Sequence, residues 1–199
     1  MKNTGKITQE YFEKGFELED YLKNLRNYRS IAKDLRKQAE ANAEHVERLR
    51  SAVKDYPQPV RATVNTEDWC GDWICNLGIL SDLFERSAIP FRIFRGSDHQ
   101  SLKNYYNRDG VTHIPVVSLW DGEGNEIVRW VEAPEKVARK KDEWKSENPR
   151  LMELFKKQKE DKEAAKEFAS LYRTFLLEMA EWYKDGMWDE TTREIVDNI

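Results

Sequence analysis

Hydrophobic residues recur at intervals of three and four along the first third of the chain. Between Phe16 and Pro57 these positions are Tyr21, Leu22, Leu25, Tyr28, Ile31, Leu35, Ala39, Ala43, Val46, Leu49 and Val53. The spacing predicts one long or two shorter amphipathic helices, because one face of an α-helix repeats about every 3.6 residues. A short helix is predicted before them, beginning after Thr8 and ending at Gly15. Pro57 and Pro59 end the helical region, since proline cannot continue a helix.

Short apolar runs separated by helical patterns replace this spacing in the middle third. They predict strands over residues 60–64, 90–95, 116–120 and 126–131, and helices over about 71–85 and 98–110. Gly122 and Gly124 suit a turn between the last two strands, which predicts a hairpin. With a helix after the hairpin, the order is β-α-β-α-β-β-α over about residues 60–147. This order predicts an α/β fold.

The final third returns to helical spacing. Pro134 suits the first position of a helix, and Asn148-Pro149 predicts a break and a restart. Aromatic and aliphatic residues then repeat from Phe168 to Tyr183, and a short last helix is predicted over residues 189–199. Three parts of the chain are therefore predicted: a helical N-terminal extension that packs on the core (1–58), the core itself (59–147) and a helical C-terminal extension (148–199).

Composition restricts the classes of function. The 199 residues carry 35% charged, 39% hydrophobic and 12% aromatic side chains, which is compatible with a folded core. The net charge is −4 and the two signs are interleaved, so a nucleic-acid partner is not expected. The chain has no run of 18 apolar residues, so no membrane span is expected. Met1–Lys6 has a basic start without an apolar stretch behind it, so no signal peptide is expected and the predicted compartment is the cytoplasm.

Both cysteines lie in the stretch Thr66–Cys75, where a β-branched run gives way to a helical pattern. Cys70 falls at the predicted start of the helix. The first turn of a helix presents N–H groups without intrahelical partners and the positive end of the helix dipole, which favour a thiolate over a thiol. Glu67, Asp68 and Asp72 are nearby carboxylates that disfavour the thiolate unless other groups pair with them. The sequence leaves the balance between these two effects open.

The spacing of the two cysteines argues against a disulfide between them. On an ideal helix, Cα atoms five residues apart are separated by about 8.6 Å, and the side chains differ in direction by about 140°. A disulfide can join two cysteines only when their Cα atoms are within about 7 Å of each other. Cys75 is therefore interpreted as a small apolar core residue, with a role as a second thiol left open. Neither His99 nor His113 completes a zinc-site spacing, so no metal or cofactor is expected, and His45, among charged residues, is expected to be exposed.

Three motifs resemble the thioredoxin superfamily, and more narrowly its bacterial thioredoxin-like members. They are Thr66-Glu67-Asp68-Trp69-Cys70-Gly71-Asp72, Gly110-Val111-Thr112-His113-Ile114-Pro115 and Gly124-Asn125-Glu126. The resemblance covers about 90 of the 199 residues. It implies a thioredoxin-like fold, in which a four-stranded mixed sheet is flanked by helices, here with helical N- and C-terminal extensions. It also implies that Cys70 faces a cis-proline, Pro115. The family has a second cysteine three residues after the first, and Trp73 occupies that position here.

The first functional hypothesis is a thiol–disulfide oxidoreductase of the monothiol type. Cys70 is the predicted nucleophile, and an external thiol resolves its mixed disulfide with a protein or with a low-molecular-weight thiol. The predicted substrate-binding residues are Trp69, Gly71, Asp72, Trp73, Ile114 and Pro115, with the two tryptophans as an apolar docking rim. The second hypothesis is a redox-inactive module that binds a partner, or forms a homodimer, through its helical extensions.

Overall fold

The computed structural model describes residues 5–199. Met1–Thr4, on which part of the signal-peptide prediction rests, lie outside the described residues. The chain forms two compact units. The first unit contains the residues up to Glu132 together with Trp188–Ile199, and the second unit is Ala133–Met187. The predicted division into a core and two extensions stays a prediction.

A four-stranded mixed sheet forms the centre of the first unit. Its strands are β1 (Arg61–Thr66), β2 (Phe91–Arg95), β3 (Val116–Trp120) and β4 (Glu126–Val131). They lie in the order β2-β1-β3-β4, with β1 parallel to β2, and with β3 antiparallel to both β1 and β4. In the central strand β1, Val64 pairs with Ile93 on one side and with Val117 on the other. The predicted α/β class and mixed sheet are confirmed.

Helices cover this sheet. Those of the first unit are α1 (Gln9–Phe12), α2 (Leu18–Asn24), α3 (Arg29–Gln38), α4 (Ala43–Ala52), α5 (Gly71–Arg86), α6 (Gln100–Arg108) and α10 (Trp188–Asp197). The prediction of one long or two shorter helices over residues 16–57 is wrong, because the chain breaks twice. Tyr28 adopts a left-handed conformation before α3, and Ala39 is extended after it. Asn42 then caps α4 with its side chain.

The segment before α2 covers the edge of the sheet. Phe16 donates its backbone N–H to the carbonyl of Ile93 at 2.8 Å, and Ile93 donates its own to the carbonyl of Phe16 at 3.0 Å. An uncovered edge strand offers its hydrogen-bonding groups to other chains. This bridge therefore attaches the N-terminal segment to β2 and covers part of that edge.

The last helix, α10, returns to the first unit and packs on α4 and α5. The indole N–H of Trp188 donates to the carbonyl of Cys75 at 2.8 Å. His45 is 6% exposed, and its Nδ1 lies 2.8 Å from the Thr192 hydroxyl. The prediction that His45 is exposed is therefore wrong. The charged residues next to His45 in the sequence could not indicate that α10, from the other end of the chain, would pack against it.

Gly124, in the turn between β3 and β4, is a position where we expect substitution to be costly. Its φ is 82°, and its carbonyl accepts the backbone N–H of Ile7 at 2.9 Å. A Cβ atom at this position would overlap the carbonyl oxygen of Ile7. We predict that Gly124→Ala lowers the free energy of unfolding by about 2–4 kcal/mol, measured by urea titration.

Gly110→Ala is the matched control, because Gly110 also has a positive φ, of 79°, but a Cβ there would meet nothing within 4 Å. Its expected cost is the backbone term of about 1–2 kcal/mol. Equal costs for the two variants would contradict the close approach of Ile7 to Gly124.

The second unit is helical. It contains α7 (Glu135–Glu147), α8 (Pro149–Lys157) and α9 (Lys162–Trp182), and after α9 the chain bends at Asp185 and Gly186, whose backbone angles are not helical. The predicted restart at Asn148-Pro149 is confirmed, with proline at the first position of α8. Trp144 is buried against Phe175, with ring centroids 4.3 Å apart, and its indole N–H donates to Glu178 at 2.7 Å. No helix among residues 5–199 is long and apolar enough to cross a membrane.

Candidate functional site

Cys70 lies between the end of β1 and the start of α5. It is the N-cap residue of α5, with extended backbone angles (φ −72°, ψ 113°), and Gly71 is the first helical residue. Its Sγ donates a hydrogen bond to the carbonyl of Ile114 at 3.3 Å, and the Ile114–Pro115 peptide bond is cis. The structure therefore brings together Cys70, Gly71, Ile114 and Pro115 from two distant stretches of sequence. Cys70 itself is 4% exposed.

Cys75 lies in the second turn of α5 and is fully buried. Both cysteines lie in the described part of the chain, and both are thiols rather than partners in a disulfide. Since a disulfide needs Cα atoms within about 7 Å, a separation of five residues on an intact helix keeps them apart. A second thiol that no solvent reaches cannot receive a substrate without local unfolding of α5.

The two tryptophans beside Cys70 have different environments. Trp69 is 58% exposed, as expected for a docking surface. Trp73 is fully buried, so the prediction that it forms part of an exposed rim is wrong. Its indole N–H donates to the Tyr21 hydroxyl at 3.0 Å, and the two rings meet edge to face at 6.0 Å. The position of the second family cysteine is thus a contact between α5 and α2.

Asp68 is a buried carboxylate two residues before Cys70. Arg95 donates from Nε to its Oδ1 at 2.8 Å, and the backbone N–H of Arg26 donates to its Oδ2 at 3.1 Å. Burial by itself would raise the pKa of Asp68, but the hydrogen bonds from Arg95, Arg26 and Tyr21 outweigh it, and the net pKa is lowered. Asp68 is therefore a carboxylate at neutral pH, and its charge is balanced by Arg95.

Glu67 and Asp72 are the other acidic residues near Cys70. The Glu67 carboxylate accepts the backbone N–H of Ser97 at 2.6 Å and the hydroxyl of Ser97 at 3.1 Å. Asp72 is half-buried in the first turn of α5, where the helix dipole favours a negative charge. The sequence left open whether these carboxylates oppose a thiolate at Cys70. For Asp68 and Glu67 the structure answers that they are bound by groups other than the thiol.

The Tyr21 hydroxyl joins Trp73 to Asp68. Burial, and then the neighbouring negative charge of Asp68, raise the pKa of Tyr21 well above its usual range. Tyr21 therefore stays protonated, accepts the indole N–H of Trp73 and donates to Asp68. This chain of hydrogen bonds from Trp73 to Arg95 fixes α2 against the turn that carries Cys70.

His113 lies in the loop before Pro115. Its side chain is 69% exposed, and its Nδ1 is 2.8 Å from a carboxylate oxygen of Glu132. Among the described residues there is no group of three or more His, Cys, Asp or Glu side chains that could hold a metal ion. The Asp121 carboxylate, in the glycine-containing turn, accepts the backbone N–H groups of Glu123 and Asn125 and acts as a turn-forming group.

The sequence of this chain was compared with models of known protein families and with curated proteins. A family model described as thioredoxin matches residues 15–145. The chain belongs to the thioredoxin family. Its thioredoxin-like fold, expected from the three motifs, is confirmed by this match. No match was found among curated proteins.

Two solved structures resemble this thioredoxin-family chain in fold. A protein of unknown function from Pseudomonas aeruginosa shares 16% identity with a TM-score of 0.58, over 94% of this chain and 93% of the other. An HIV epitope-scaffold shares 23% identity with a TM-score of 0.53, over 65% of this chain and 79% of the other. At these identities the likeness concerns the fold alone.

Sequence reasoning missed three residues of this thioredoxin-family site. Tyr21 and Arg95 were assigned to a helix stripe and to a strand, and their meeting with Asp68 depends on the tertiary fold. The position of Arg95 in an apolar strand is nevertheless a signal in the sequence, because a charged residue that is buried is almost always paired. In the structure Arg95 is 3% exposed. Asn65 is the third: an amide at the end of a β-branched strand, 2% exposed.

Proposed function

We propose that this thioredoxin-family protein exchanges disulfides through Cys70 alone. The observation that carries the proposal is the position of Cys70 at the start of α5, 3.3 Å from the Ile114 carbonyl, with a buried tryptophan at the position of the second cysteine. A thiol there has the helix N-terminus on one side and the backbone of the loop before Pro115 on the other. Without a partner thiol three residues away, resolution must come from outside the chain.

The exchange takes two steps. Cys70 loses its proton, and its thiolate attacks one sulfur of the substrate disulfide; a new S–S bond forms and the second substrate sulfur leaves as a thiolate. An external thiolate then attacks this mixed disulfide and releases Cys70 as a thiolate. Gly71 places no side chain next to the sulfur of Cys70, and the exposed ring of Trp69 offers an apolar contact. Ile114 and Pro115 form the opposite wall.

Electrostatics at Cys70 include one favourable and one opposing contribution. The N-terminal N–H groups and dipole of α5 stabilise a thiolate, and Asp68 is neutralised by Arg95. The hydrogen bond from Sγ to the Ile114 carbonyl exists only in the thiol form, so it opposes ionisation. A substrate backbone N–H that takes over the Ile114 carbonyl would remove this opposition, which links binding to activation.

Substitution of the two cysteines tests the proposal. We predict that Cys70→Ser abolishes mixed-disulfide formation with glutathione disulfide, detected by intact-protein mass spectrometry. Cys75→Ala is the matched control and should retain the reaction, because Cys75 is fully buried. Neither the wild type nor the variants should reduce insulin efficiently, since a dithiol is lacking. Equal modification of wild type and Cys70→Ser would contradict the proposal.

The alternative is a redox-inactive interaction module. It is favoured by three apolar side chains on α8 and α9 that are 41–54% exposed, namely Met152, Phe155 and Leu177. If partner binding or self-association is the function, Cys70→Ser will retain it and both chains will lack exchange activity. Sedimentation of the wild type and of Cys70→Ser, together with the modification experiment, separates the two functions.

A further inference from the structure

A cleft of about 310 Å³ opens beside the thiol site, between the end of β1, the loop before α6, α6 itself and the loop before β3. Trp69 and Ile114 line the part nearest to Cys70. Trp69 precedes the cysteine in the chain, and the Ile114 carbonyl accepts its hydrogen bond. The exchange chemistry at Cys70 does not require the remaining lining residues, among them Asn65 and Lys103.

Asn65 provides the first evidence for a ligand in this cleft. The residue is 2% exposed, and its Oδ1 accepts no hydrogen bond from any of residues 5–199. Buried amide oxygens nearly always have a donor, because desolvating an acceptor without one is unfavourable. An acceptor of this kind on the wall of a cleft marks a place where a ligand N–H can bind.

Gly96 provides the second, independent observation. A Cβ atom at this position would lie 3.3 Å from Asn65 Oδ1, 3.4 Å from Glu67 Oε1 and 3.5 Å from Lys103 Cδ. The absent side chain therefore leaves space on which these groups converge. Glu67 already accepts two hydrogen bonds from Ser97. Asn65 and Lys103 are thus the groups that offer an acceptor and a positive charge to a ligand.

We propose that the cleft binds the non-sulfur part of a small anionic thiol that contains an amide. Its amide N–H donates to Asn65 Oδ1 and its carboxylate pairs with Lys103, which presents its sulfur to Cys70 beside Trp69. The inference rests on the proposed function of Cys70 and names the substrate class. In the exchange, the Cys70 thiolate attacks the disulfide form of this compound, keeps one half as a mixed disulfide and releases the other half as a thiolate.

Binding is tested without exchange chemistry. S-methylglutathione carries amides and carboxylates but no reactive thiol, and it is titrated into the Cys70→Ser chain while NMR follows the amide signals of Gly96 and Lys103. We expect saturable shifts, and a Kd that rises about 5- to 10-fold in Lys103→Gln and in Gly96→Ala. Lys33→Gln, on the exposed face of α3, is the matched control and should leave the Kd unchanged. Absence of saturable shifts, or the same Kd in every variant, overturns the proposal.

Exchange rates distinguish ligand binding in the cleft from disulfide exchange at Cys70. With Cys70 intact, Lys103→Gln and Gly96→Ala should slow the reaction with glutathione disulfide about 5- to 10-fold and leave the reaction with uncharged bis(2-hydroxyethyl) disulfide unchanged. Equal slowing with both disulfides overturns the cleft proposal. Reaction with the uncharged disulfide but no binding of S-methylglutathione also overturns it, and leaves the function of Cys70 standing. Binding without any exchange supports the cleft and overturns the function.

Discussion

Replacing Trp73 with cysteine will allow a disulfide with Cys70 and will give the chain an insulin-reductase activity, which we do not expect of the wild type. Residues three apart on a helix have Cα atoms about 5 Å apart, within the range that a disulfide spans. The mixed disulfide at Cys70 could then be resolved from within the chain. The measurement is insulin reduction, with mass spectrometry of the oxidised variant to detect the loss of two hydrogens.

The same substitution will reduce stability. Trp73 is fully buried and donates to Tyr21, and replacing a buried tryptophan by a small residue costs about 3–5 kcal/mol. Trp73→Ser is the matched control: it should lose similar stability in a urea titration and gain no reductase activity. A folded Trp73→Cys chain that forms no disulfide under oxidising conditions would contradict the placement of residue 73 beside Cys70.

The second large effect is expected at Asp68. Its side chain and that of Arg95 are 5% and 4% exposed, and they meet at 2.8 Å. Asp68→Asn leaves the Arg95 guanidinium buried without a counter-charge, and breaking a buried pair in this way costs about 3–5 kcal/mol. Urea titration at neutral pH measures the loss. The paired replacement Asp68→Asn with Arg95→Met removes both charges and should recover part of it; no recovery would show that the pair is not the source.

The difference in stability between the wild type and Asp68→Asn should decrease as the pH is lowered. Because the pKa of Asp68 is lower in the folded chain than in the unfolded one, its contribution to stability is complete above the unfolded pKa of about 4 and is lost as the pH falls through the folded pKa. The stability of the wild type should therefore approach that of Asp68→Asn as the pH is lowered from about 5. A constant difference across this range would contradict a lowered pKa.

Local patterns were sufficient for the sheet. The strands at 116–120 and 126–131 match their predicted bounds, because an apolar run, a glycine turn and a second run specify a hairpin without distant partners. The helices before Pro57 were harder. A left-handed Tyr28 carries no local signature, since tyrosine has no special preference for that conformation. The break after α3 falls where only alanines continue the apolar stripe, so the pattern there was weak.

At the candidate site, the sequence located the backbone and missed the side-chain directions. Cys70 and Ile114-Pro115 could be placed because each lies in a short motif. The burial of Trp73 could not, because it depends on Tyr21, which is 52 residues away in sequence. The charge balance at Asp68 likewise needed Arg95, at the end of another strand. Helix and strand periodicity describes which face a residue is on, but not which distant group meets it.

The discontinuous first unit has a consequence for biosynthesis. The ribosome completes residues 133–187 before it makes Trp188, so α5 and α4 leave the exit tunnel without the helix that will cover them. At translation rates of about 5–20 residues per second, this interval lasts several seconds. During that time the Cys75 carbonyl lacks its donor, the Trp188 indole, and the His45 ring lacks the Thr192 hydroxyl, so α4 and α5 complete their packing only after the last helix is made.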